Sequence, residues 1–178
     1  MIAWLRHSAR LGLVVMSCGM ALTAQQAAPP VFAAPVPLQL LNAKTVFISN
    51  AGADSGLFPH PFTGDPDRAY NEFYAGVVSW GRYQIVPTPG EADLVLELRL
   101  MAPNGPSNAD KSKGASDPLP MLRLVIYDRP THYVLWALTE SIDPASRQKT
   151  HDHNFDEAVA NLVLDAGRLT KSLPNGMH

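Results

Sequence analysis

Apolar and polar residues alternate most cleanly over residues 94–101. Leu94, Leu96, Leu98 and Leu100 fall on one side of an extended chain, and Val95, Glu97, Arg99 and Met101 on the other. A period of two predicts a strand with one face in the core and one nearer water. Leu122, Leu124 and Ile126 alternate in the same way with Arg123, Val125 and Tyr127, and Tyr133 to Ile142 follows after the turn residues Asp128-Arg129-Pro130-Thr131-His132. These three runs predict an antiparallel meander. Upstream, Lys44 to Ser49 is a β-branched and aromatic run closed by Asn50-Ala51-Gly52. Tyr83-Gln84-Ile85-Val86 is a short second strand stopped by Pro87.

Two stretches change period. Ala69, Tyr70, Phe73, Tyr74, Val77 and Trp80 recur at three and four, behind Asp65-Pro66-Asp67 and ahead of Gly81. That is an N-cap acid, a proline in the first helical position and a C′ glycine, so a helix to Trp80 is predicted. Asn154 and Glu157 form a capping pattern ahead of a stripe of Phe155, Ala158, Val159, Leu162, Val163, Ala166 and Leu169, the buried side of a final helix. The order is β-α-β-β-β-β-α. It implies an α+β fold, a mixed sheet of about five strands with two helices packed on one face, in two layers. The domain runs over residues 38–173, with a polar loop at 102–118.

The chain before the domain has a different character. Met1 to Arg10 carries Arg6, His7 and Arg10 and no acid, and Leu11 to Leu22 carries no charge. This pattern predicts an export signal cleaved after Ala24, followed by an Ala/Pro-rich linker at 25–37. A competing order, Val15-Met16-Ser17-Cys18-Gly19, resembles a bacterial lipoprotein cleavage box. Cleavage before Cys18 would tether the chain through a lipid. The expected location is therefore periplasmic or secreted, or alternatively the outer membrane as a lipoprotein, with no transmembrane span in the mature chain.

Loss of residues 1–24 leaves 12 Lys+Arg against 16 Asp+Glu, a net charge of −4 in place of −2. With no basic cluster, charge argues against nucleic acid as a partner. Cys18 is the only cysteine, so no internal disulfide can form.

The run Lys44-Thr45-Val46-Phe47-Ile48, the helix end Trp80-Gly81-Arg82-Tyr83, the start Ala92-Asp93-Leu94-Val95, and the pair Leu122 to Asp128 with Leu135-Trp136 resemble small exported bacterial domains of unknown function, of the acidobacterial type. Their element order is similar to the α/β domains of the curli secretion channel lipoprotein and of the lipoprotein activators of penicillin-binding proteins. The resemblance spans about residues 43–171 and implies a fold and an envelope location. It brings no catalytic residue or cofactor, and it departs at Asp128 to His132, where a turn glycine is missing.

Candidate chemistry is sparse. His151 and His153, near Asp152 and Asp156, would point the same way on an extended segment and could share a zinc or copper ion. The glycines of Ala51 to Gly56 follow a strand, but that loop has no lysine and no phosphate-binding motif. No serine occupies a nucleophile elbow. Glu97 has Arg99 on its own face as a pairing partner, and Asp128 lies at a strand end. Tyr70, Phe73, Tyr74, Trp80 and Trp136 have the spacing of core residues. These features favour a non-catalytic cell-envelope binding or assembly module with an unidentified envelope protein partner. Metal binding through His151 and His153, or an enzyme with a dispersed active site, are the alternatives.

Overall fold

The computed structural model describes residues 34–102 and 119–171. The predicted export signal with Ala24 and Cys18, most of the linker and nearly all of the 102–118 loop lie outside them. The elements are α1 (Leu38–Asn42), β1 (Thr45–Ala53), α2 (Arg68–Trp80), β2 (Gln84–Ile85), β3 (Leu94–Met101), β4 (Met121–Asp128), β5 (Val134–Ser141) and α3 (Gln148–Lys171).

The sheet order is β2-β1-β3-β4-β5. β1 is parallel to both β2 and β3, and β3, β4 and β5 form the antiparallel meander. The alternation of β3 is realised side chain by side chain: Leu94, Leu96, Leu98 and Leu100 are all buried, and Leu122, Leu124 and Ile126 lie beside them on β4. Phe73 and Val77 of α2 and Phe155, Leu162 and Leu169 of α3 close the same core cluster. Two layers result, as the periodicities require.

Asp93 secures the start of β1. Its carboxylate accepts the N–H groups of Lys44 (2.8 Å) and Thr45 (3.0 Å), and these bonds hold its pKa below the usual carboxylate range. β1 runs on to Ala53 through a register shift opposite β3, where Gly52 takes φ 79°. An irregularity of this kind suits glycine, which has no Cβ to clash. α2 ends at Gly81 in the left-handed conformation (φ 66°), its N–H donating to the Val77 carbonyl. In the last hairpin the left-handed position falls to His132 (φ 60°), in the turn where the expected glycine is missing.

Two expectations need correction. A short helix, α1, sits where only the domain start was foreseen, and its Leu40 is buried in the core. α3 begins at Gln148, six residues before the Asn154-x-x-Glu157 pattern, so Asn154 is not a cap. Its side chain instead donates to the Asp143 carbonyl (2.9 Å). The earlier start is held by tertiary bonds: the Gln148 side chain donates to the Pro61 carbonyl (2.6 Å), and Asp152 receives the Thr63 N–H (3.0 Å) and hydroxyl (2.9 Å).

Candidate functional site

The helix at 148–171 separates the predicted metal pair. Residues two apart on an α-helix point about 200° apart. His151 is half-buried, edge-on to the Phe62 ring (centroids 6.3 Å apart), beside a cavity of about 310 Å³. His153 faces solvent, 3.5 Å from Glu157. Among the described residues no group of three His, Cys, Asp or Glu side chains is placed to hold a metal ion. Equilibrium dialysis against zinc and copper should show equal uptake by the wild type and a His151→Ala/His153→Ala variant.

Other singled-out polar residues are engaged in holding the fold. Asp54 accepts from Arg99 (2.8 Å) and from the Ala102 N–H (3.0 Å), which together hold its pKa down. Arg99 thus pairs with Asp54 and not with Glu97, whose partner is the Tyr127 hydroxyl (3.3 Å). Asp128 is buried and accepts from the Thr131 N–H (3.1 Å) and hydroxyl within its turn. Phe73 belongs to the core and Tyr70, Trp80 and Trp136 pack against it, as their spacing predicts, whereas Tyr74, given the same spacing, is exposed on α2.

What remains is a groove between α2 and α3, a cavity of about 650 Å³. Its floor is apolar: Trp80, Val159, Val163 and Leu164, with Gly76, Ala160 and Gly167 keeping it open. Trp80 stands edge-on to Tyr83 (5.3 Å) and against Gly167, where an added Cβ would lie 3.6 Å from the indole. Leu164 projects into the groove at 56% exposure.

The two ends of the groove differ in charge. At one, the Arg68 guanidinium is shared by Glu72 (2.7 Å), Asp152 (2.7 Å) and Asp156 (2.5 Å) and also bonds the Thr63 carbonyl (2.9 Å). Three carboxylates on one guanidinium leave an excess of acid. Burial alone would raise the Asp152 pKa, but bonds from Thr63, Arg68 and Gln148 outweigh it and hold it well below the usual range. Glu72 moves the opposite way: burial raises it, Arg68 opposes, and neighbouring Asp156 adds to the rise.

At the other end stand Arg168, bonded to Asp165 (2.7 Å), and Lys171. Glu140 of β5 reaches the same place, and its pKa is pushed up to about 7 by burial first and then by Asp165. A raised acid pKa favours the protonated folded state. Its stabilising contribution is complete below the ordinary value near 4.5 and is lost as pH rises through about 7. Glu140→Gln should therefore leave the melting temperature unchanged at about pH 5 and raise it at about pH 8.

Sequence reasoning missed this groove, although three signals were present. Gly76 and Gly167 sit inside helices, where glycine costs up to about 1 kcal/mol relative to alanine. Leu164 lies off the buried stripe of α3. The glycines respond differently to a methyl group. At Gly167 it meets Trp80 at ordinary contact distance, so Gly167→Ala should stabilise by about 0.5–1 kcal/mol. At Gly76 it meets the stiff Val163 side chain at 2.9 Å, so Gly76→Ala should lose that gain to overpacking and destabilise by about 1 kcal/mol. Thermal melts of the two variants, moving in opposite directions, check the prediction.

No protein-family model and no curated protein matches the chain. Among solved structures it is similar to the PelC dodecamer from Paraburkholderia phytofirmans, at 17% identity over 78% of this chain and 94% of that one, with a TM-score of 0.40. A single-residue variant of that dodecamer matches at 15% identity, over 67% and 86%, with a TM-score of 0.38. A Xanthomonas campestris protein of the DUF330 family matches at 12% identity, over 71% and 84%, with a TM-score of 0.41. At these identities and TM-scores the likenesses carry no argument about function. Among the described residues, no helix is long and apolar enough to cross a membrane.

Proposed function

We propose that this protein is a non-catalytic binding or assembly module of the cell envelope that works through a protein contact in the α2/α3 groove. The observation that carries the reading is the groove itself: an open apolar floor with a projecting leucine and charged ends, on the outer side of the helix layer. Apolar surface of this kind, rimmed by charge, fits protein contact. The envelope location rests on the basic and then uncharged residues 1–22 with a small residue at Ala24, or on Cys18 if the chain is lipidated.

The test places a photo-crosslinking side chain in the full-length protein in cells, at position 160 in the groove or at position 137 on the sheet face that carries no helix. Crosslinked protein from 160, absent at 137 and lost when Leu164→Lys is added, is the expected result. Equal products from both positions, or none from 160, would reject the groove. Fractionation should recover the protein from periplasm or membranes, and recovery from cytoplasm alone would reject the envelope location.

A further inference from the structure

We infer that the groove is covered by the same groove of a second copy of this chain, with the two α3 helices antiparallel across a two-fold axis. The inference rests on the reading of the groove as a protein contact surface, and charge complementarity identifies the occupant. Asp156 and Lys171 are 15 residues apart on one helix, about 22 Å. Of the charged residues that line the groove, Glu72 and Asp156 stand at the first end and Arg168 and Lys171 at the second, while Asp165, which pairs with Arg168, and Glu140 are not part of the lining.

An occupant that satisfies both ends must carry base where this groove carries acid, and acid where it carries base. A second α3 laid antiparallel does so at both ends at once, and its helix dipole opposes that of the first favourably. One register serves charge and packing together. Asp156 of one copy facing Arg168 of the other is symmetric about residue 162, and the same symmetry sets Leu164 of each copy against Ala160 of the other. Between the charged ends, the α3 side of the groove presents only Val159, Ala160, Val163, Leu164 and Gly167. A contact made of the same patch on both copies closes as a dimer and does not propagate.

The experiment uses protein purified from cells expressing the full chain, with its mass in solution measured by light scattering over a concentration series and its fold checked by thermal melts. Wild type should be a dimer, and Leu164→Lys a folded monomer. Asp156→Lys and Arg168→Glu, each placing like charges in contact, should raise the dissociation constant by about tenfold or more. An equimolar mixture of those two variants should recover the dimer, because both cross-copy contacts then join opposite charges. A dimer that survives Leu164→Lys, or a mixture that recovers nothing, overturns the arrangement. A wild type monomeric at its highest soluble concentration overturns self-association. If position 160 then still crosslinks a different protein, the groove reading stands without it; if it crosslinks nothing, both fall.

Discussion

Phe155→Ala should destabilise the protein by about 3–5 kcal/mol, the range for emptying a buried aromatic site. Phe155 is fully buried at the junction of α3 with the loop ahead of α2. Its ring centroid lies 5.0 Å from that of Phe62 and 6.3 Å from that of Phe58, and the Arg68 guanidinium carbon sits 4.5 Å above it. Alanine removes the ring that all three pack against. Domains of this size have about 5–15 kcal/mol of stability, so the loss is a large part of the total. Urea unfolding should show a lower midpoint with an unchanged slope. Phe155→Leu, which keeps most of the volume, should lose less than half as much. A loss below about 1 kcal/mol for alanine would show that the cluster is not part of the cooperative core.

Arg68→Met should cost about 1–2 kcal/mol by a different mechanism. The Arg68 side chain is partly buried, and its removal leaves Glu72, Asp152 and Asp156 facing one another. Breaking a fully buried ion pair by removing one partner costs about 3–5 kcal/mol; the three carboxylates here are 20–56% exposed, so solvent screening reduces the cost to about 1–2 kcal/mol. Arg68→Lys should recover only part, because one ammonium cannot reach the three carboxylates and the Thr63 carbonyl in the directions the planar fork does.

The pH dependence separates the two substitutions. Asp152 has a depressed folded pKa, so its contribution is present above the ordinary carboxylate value near 4 and is lost as pH falls below it. Glu72 is shifted upward and offsets part of this. The deficit of Arg68→Met should therefore be greatest near neutrality and shrink in acid, whereas that of Phe155→Ala should hardly change. The two residues touch, so the double variant should lose less than the sum of the singles.

The fold was largely legible because its signals are local. Leucines at 94, 96, 98 and 100 leave one possible inner face, and Gly81 ends α2 whatever surrounds it. The early start of α3 was not legible. Gln148 to His153 is a polar run whose partners, Pro61, Thr63 and Arg68, lie more than 80 residues away. That early start also undid the His151/His153 pairing, since spacing defines a direction only once the backbone conformation is known. Arg68 gave no sign of its role for the same reason: two of its three carboxylate partners belong to α3.

The sequence by itself determined the periodicities, and through them the five strands, the two long helices and the inner faces that meet in the core. These follow from burial of apolar side chains at intervals of two or of three and four, which neighbouring residues set among themselves. Only the tertiary structure decided which faces were left over. Gly76, Trp80, Leu164 and Gly167 become one groove because α2 and α3 pack side by side on the sheet, bringing together residues separated by nearly half the chain. Its charged ends arise in the same way, with Arg68 of α2 brought to Asp152 and Asp156 of α3, and Glu140 of β5 to Asp165. Charge and shape at a surface depend on distance in space, which local spacing does not encode.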